Sequence, residues 1–317
     1  MGQTKNRFSR QAAVHLAQKL GHPRFWGKAA FRIAFYLLLF DIAFVFLFPF
    51  LFMVVTSLKS PADMYNISVK WVPQGIYFGN FALAFKMLDY LTLAKNSVIV
   101  TVLGTAGHIL GASIVGYGFA RFRFPGRDLI FMGVLLTVII PPQTYIVPLY
   151  REFLVLGWID SYLPLVVPTF FGFGLKGGIF VFIFRQFFAG MPYELEDSAY
   201  LDGCGFFRTY WNIFLPMSRS ALVVTAILGM AWHWNDYFEP QIFIRNRFLT
   251  MLPTKLPFLY EVLRDPSEYL RDPVSLDTYT LAVALAGTFL VILPILVAYL
   301  ALQRQFMEGM ERSGLVG

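Results

Sequence analysis

Of the 317 residues, 57% are apolar and only 14% charged, and 35 are Phe; an ordinary soluble domain carries roughly 25% charged residues. A water-soluble fold could not hide that much apolar surface, so lipid must be the solvent. The net charge of +7 does not mark a nucleic-acid partner, because the basic residues are dispersed and flank apolar runs, where they anchor to a membrane surface.

The single cysteine, Cys204, excludes an intrachain disulfide or a CxxC metal site. His15, His22, His108 and His233 share no metal-ligand spacing, and His108 and His233 read as packing residues with satisfied nitrogens. No GxSxG, Walker A loop or paired acids near a nucleophile are present. The chain is therefore expected to be non-catalytic, with no metal or cofactor of its own.

Six stretches reach the roughly 20 apolar residues that a helix needs to cross a bilayer: 33–55, 96–120, 129–150, 162–184, 220–238 and 278–303. They predict an all-α, polytopic membrane protein with one six-helix domain over 33–303, an N-terminal arm at 1–32 and a tail at 304–317. The arm carries Lys5, Arg7, Arg10, Lys19, Arg24 and Lys28. The apolar run behind it is too long for a cleaved signal and stays as a span. Asp41 in that run costs roughly 3 kcal/mol near mid-membrane, yet 17 Leu, Ile, Phe and Val residues, at about −0.3 to −0.6 kcal/mol each, outweigh it.

In the second stretch Gly107 and Gly111 form GxxxG, which lets another helix approach closely. In the third, Pro141, Pro142 and Pro148 remove backbone donors and should break or bend the helix near its outer end, where protein or a wet cavity must cover the break. The fourth carries Lys176 among glycines. The fifth ends in Trp232, Trp234, Tyr237 and Phe238, and the sixth has no charge.

Basic residues in short loops set orientation. The arm, the Arg121/Arg123/Arg127 loop, the loop 185–219 and the tail hold 15 of the 26 Lys and Arg, so they share the cytoplasmic face together with both termini.

The loop 185–219 has its own local chemistry. Pro192 suits the first position of a helix, Glu194, Glu196 and Asp197 favour its positive end, and Gly203 supplies the stop. Leu195, Ala199 and Asp202 fall on one face. A second helix through Phe206, Phe207, Tyr210, Ile213 and Phe214 ends at Pro216. On physical grounds alone this hairpin is equally an amphipathic connector on the membrane surface.

The spacing Asp197-Ser198-Ala199, then Gly203, then Ile213, Leu215 and Pro216 resembles the EAA loop of ABC importer permeases, with every interval matching. Asp197 stands where Glu is usual and Ser198 where Ala is usual, and the terminal Gly-Leu-Val-Gly lacks a frequent lysine. Residues 141–148, 156–168, 234–240 and 303–309 are similar to segments of the carbohydrate-type, maltose-like permeases. The resemblance implies the type I importer fold and a multi-pass protein of a prokaryotic inner membrane. It implies that Glu194, Asp197, Ser198, Ala199, Asp202, Gly203, Ile213, Leu215 and Pro216 form the coupling surface for a separate ATPase dimer, which binds the ATP and Mg. It also implies a second, related permease, half of a sugar or oligosaccharide pore in this chain, and an extracytoplasmic solute-binding protein that docks on outer loops such as 239–277.

Four residues are candidates for the solute path: Lys176, whose alternatives are snorkelling or pairing with Asp41, and Trp234, Asn235 and Asp236. These last three suit sugar stacking and hydrogen bonding, although such residues more often form an interfacial belt. The competing readings are an ion-gradient-driven secondary transporter, which calls for inverted repeats that are not visible here, an ABC permease for a non-sugar solute, and an integral membrane enzyme.

Overall fold

The computed structural model describes residues 23–270 and 279–314. The basic residues of the arm up to Lys19, His15, His22, Asp277, the start of the sixth stretch at Thr278 and the last three residues of the tail lie outside them. All regular structure among the described residues is helical.

Helix α1 (Pro23–Ser57) is followed by short α2 (Pro61–Tyr65) and α3 (Gly79–Met87), then by α4 (Tyr90–Arg121). At about 1.5 Å per residue α4 is roughly 48 Å long, more than the ~30 Å of a hydrocarbon core. It begins six residues before the expected Asn96 and is the axis of the domain, packed against the helices of the fourth and fifth stretches. Only 6% of the most apolar window of α1 is buried, so its Phe-rich surface needs lipid or another subunit to cover it.

Three described helices are by themselves long and apolar enough to cross a membrane: Ala30–Ser57, Tyr90–Arg121 and Leu281–Arg304. The other stretches depart from continuous rods. The third is a pair, α5 (Arg127–Ile139) and α6 (Pro142–Val155), bent by 104°. Pro141 and Pro142 produce that bend, as expected, since the residue before a proline is driven out of the helical region. Pro148 does not contribute, lying inside unbroken α6.

The fourth stretch is also not one helix. It runs as α7 (Leu163–Val166), a 3₁₀ turn Val167–Phe171, then left-handed backbone at Gly172, Gly174 and Lys176, before α8 (Gly177–Ala189). Its close packing explains the GxxxG pair. A Cβ at Gly107 would collide with the Thr169 hydroxyl, and one at Gly111 with the Phe170 carbonyl, so α4 meets a folded-back turn there rather than a crossing helix.

Beyond the loop come α9 (Glu194–Leu201), α10 (Phe206–Thr209), a π turn Tyr210–Phe214 and α11 (Leu215–Met217). Next are α12 (Arg219–Asn235), α13 (Phe238–Phe243), α14 (Leu252–Arg264), α15 (Pro266–Tyr269) and α16 (Leu281–Gly314). Helix α12 stops short of the expected Phe238, and α16 runs past the expected end at Gln303. Helix α16 packs on α1, α3, α12 and α14.

The core has two ends. Tyr117, Phe131, Phe180, Phe184, Phe188, Tyr210 and Phe214 form an aromatic cluster at the Arg121 end of α4. Val100, Ile146, Phe153, Leu165, Phe243 and Met251 form another nearer its start. The first cluster ties the loop 185–219 to the bundle.

Candidate coupling site

The loop is built from its sequence as expected at the glycine and differently at its start. Helix α9 begins at Glu194 with Tyr193 as N-cap, so Pro192 lies before the cap and not at the first helical position. The Tyr193 carbonyl accepts from the amides of Glu196 (2.9 Å) and Asp197 (3.1 Å). At the other end Gly203 has φ +77°. Its amide donates to the Tyr200 carbonyl at 3.0 Å, and the Cys204 amide donates to the Ala199 carbonyl at 2.9 Å. These two bonds make a Schellman stop, which satisfies the orphan carbonyls and wants glycine at the left-handed position.

Helix α9 has two different faces. Glu194, Asp197, Ser198, Leu201 and Asp202 are exposed, Leu201 at 89%. Glu196 (7% exposed) and Ala199 (3%) face inward. Ala199, expected as part of the coupling surface, therefore has its methyl packed within this chain rather than on the open face. The Oε1 atom of Glu196 accepts from the hydroxyls of Tyr117 (3.3 Å) and Tyr200 (3.2 Å). Burial, followed by the neighbouring Glu196 charge, raises the Tyr200 hydroxyl above its ordinary value and keeps it a donor at neutral pH.

The return segment is anchored by packing. Ile213 and Leu215 are partly buried against the aromatic cluster, which makes them supports of the loop rather than contact points, and Pro216 is exposed. Proline has no amide for the Asn212 carbonyl, and the chain there loosens into the π turn before bending by 76° into α12. The Tyr210 hydroxyl lies 2.6 Å from that of Ser113. Burial raises the Tyr210 phenol, and the bond to Ser113 opposes that shift.

Arg121 is the residue that composition and motif left unassigned beyond orientation. It is 8% exposed, donates from Nη2 to the Met191 carbonyl at 2.8 Å, and lies 4.7 Å from the ring centroids of both Tyr193 and Phe214. The stacked guanidinium suits arginine rather than lysine at this joint.

The four solute-path candidates do not converge. Trp234 is 4% exposed and its indole N–H donates to the Val291 carbonyl at 2.9 Å. It is thus a packing anchor between α12 and α16, and in this structure neither its candidate role as a stacking surface nor the alternative of an interfacial belt is what its ring does. Asp236 accepts from the amides of Phe238 (3.1 Å) and Glu239 (3.4 Å) and caps α13. Asn235 alone lines a cavity of about 680 Å³, with Tyr237, Leu256, Tyr260, Glu261 and Arg264. Lys176 is exposed at the left-handed break before α8 and makes no ion pair with Asp41. His108 and His233 are buried with rings 5.3 Å apart. His233 Nε2 has no partner among the described residues, so the expectation that both are fully satisfied fails.

Comparison with known proteins places this geometry. Residues 108–306 match the family described as binding-protein-dependent transport system inner membrane component. The chain is 27% identical to the arabinooligosaccharides transport system permease protein AraQ of Bacillus subtilis, over 91% of this chain and 97% of the relative. It is 27% identical to the lactose transport system permease protein LacG of Rhizobium radiobacter, over 86% and 92%. Its fold matches a chain from the crystal structure of a bacterial ABC transporter involved in the import of the acidic polysaccharide alginate. The TM-score is 0.72 at 20% identity, covering 88% of this chain and 98% of that chain. The match covers well over half of the sequence, including α8 and the whole loop 185–219, and the chain belongs to the family of binding-protein-dependent transport system inner membrane components.

Proposed function

We propose that this chain is one of two permease subunits of an ATP-driven importer for an oligosaccharide, with six crossings and both termini in the cytoplasm. The loop 185–219 is its joint with a separate ATPase dimer, which binds ATP and Mg. The observation that carries the reading is the two-sidedness of α9. Its inner face is tied to α4, while Asp197, Leu201 and Asp202 are exposed, as are Phe207 and Trp211 of the return segment. Apolar and acidic groups exposed together on a rigid element are the surface that a partner covers. ATP-driven closure of the partner would move α9 and, through it, the bundle.

The solute class follows the relatives named for arabino-oligosaccharides and lactose. The cavity of about 680 Å³ with Asn235, Tyr237 and Tyr260 in its wall supplies the apolar faces and polar handles that saccharides take. Lys176, exposed at a helix break, is a second element of the path, since charges at membrane depth face a cavity or a partner. The segment 239–270, with α13 to α15, would contribute to docking of an extracytoplasmic binding protein.

The test is uptake in liposomes holding this chain, its partner permease and the ATPase, with binding protein and labelled oligosaccharide outside. Uptake that requires ATP and the ATPase supports the reading. Uptake by the permease alone down an ion gradient contradicts it.

A further inference from the structure

Ser113, Tyr117 and Arg121 are spaced four residues apart, so they form one ridge along the last turns of α4. Each holds a different part of the loop: Ser113 the return segment at Tyr210, Tyr117 helix α9 at Glu196, and Arg121 the entry at Met191. The middle tie differs from the other two, because it alone reaches α9, and because it is made by a carboxylate withdrawn from water. A buried carboxylate persists only where donors are held in place for it. Of its two donors, Tyr200 belongs to α9 itself, and the one that comes from α4 is fixed: the Tyr117 ring lies edge-on to Phe188 (centroids 5.7 Å, 87°) and against Phe214 (5.0 Å). Nothing in local helix chemistry requires this, since the acidic start of α9 already has Glu194 and Asp197, which stay exposed.

We infer that Glu196 is the positioning residue through which displacement of α9 reaches the pore: its carboxylate, gripped by Tyr117, makes α9 and α4 move as one body. Asp197 on the outer face then meets the partner, and Glu196 on the inner face carries the motion onward. The inference rests on the reading of the loop 185–219 as the coupling joint.

It is tested in the complete importer in liposomes by measuring solute moved per ATP hydrolysed. Glu196→Ala and Tyr117→Phe each lower that ratio about tenfold, the scale set by one hydrogen bond to a charged group, while the ATPase still co-purifies and hydrolyses ATP. The double variant is no worse than either single one, because both break the same link. Glu196→Gln, whose amide oxygen still accepts from Tyr117, recovers most of the ratio. An unchanged ratio in Glu196→Ala, fully additive losses in the double variant, or loss of ATPase binding in every variant including Glu196→Gln would overturn the inference. If wild-type uptake proves independent of the ATPase, the coupling reading itself fails, and that is seen before any variant is made.

Discussion

The hydroxyls of Ser113 and Tyr210 lie 2.6 Å apart, joining the last turns of the axial helix to a π turn 97 residues later in the chain. Both are buried, so the pair bonds only within the protein. Tyr210→Phe keeps the ring in its cluster and removes the bond. We expect a loss of about 1 kcal/mol, read as a lower Tm of the purified protein in detergent. Ser113→Ala should match it, and the double variant should lose no more than either alone.

Gly203 is required by its backbone and not by crowding. A Cβ there would meet nothing within 4 Å, yet φ is +77°. Gly203→Ala should therefore cost about 1–2 kcal/mol of local stability, and Gly203→Asn less, because Asn tolerates the left-handed region. Amide hydrogen exchange at the end of α9 reports the order: fastest for a β-branched Gly203→Val, then Ala, then Asn, then wild type.

Two glycines of one helix should respond in opposite directions. At Gly111 an added methyl collides with the Phe170 carbonyl, whereas at Gly118 nothing lies within 4 Å. Gly111→Ala should lose about 1–3 kcal/mol through overpacking, and Gly118→Ala should gain about 0.5–1 kcal/mol from helix propensity. Thermal unfolding of the two variants separates them.

Trp234 and Asn235 are neighbours with different roles. Trp234→Phe removes the bond to the Val291 carbonyl and leaves a void, so stability should fall by about 1–3 kcal/mol with the half-saturating solute concentration unchanged. Asn235→Ala, at the cavity wall, should raise that concentration severalfold with Tm nearly unchanged. The reverse pattern would return the stacking role to Trp234.

What could be read from the sequence was whatever is local in origin. The interval from Asp197 to Gly203 marks a short capped helix because the left-handed stop has one favoured residue. Likewise, Pro141 and Pro142 mark a break because proline lacks a donor. The size of the 104° bend was not legible, since it depends on what α5 and α6 pack against. Nor was the inward turn of Glu196: on the chain it is one of three acids in the first turn of a helix, and only the distant Tyr117 distinguishes it. The broken fourth stretch did leave a trace. Gly172, Gly174, Gly177 and Gly178 crowd around Lys176, a density of glycine that a continuous span would not carry, although mean hydropathy conceals it. Trp234 misled for a related reason, because an aromatic residue at a span end is written the same way whether it faces a sugar, the interface or another helix.

A coupling role requires the loop 185–219 to lie on the ATPase side of the membrane, and the chain carries its own probe of that placement. Cys204 is the only cysteine and is partly exposed beside the Gly203 elbow. A membrane-impermeant maleimide should label the wild-type protein in inside-out vesicles, leave right-side-out vesicles unlabelled, and lose its access once the ATPase is bound. Labelling of Cys204 from the outer face of intact cells would contradict a cytoplasmic coupling loop.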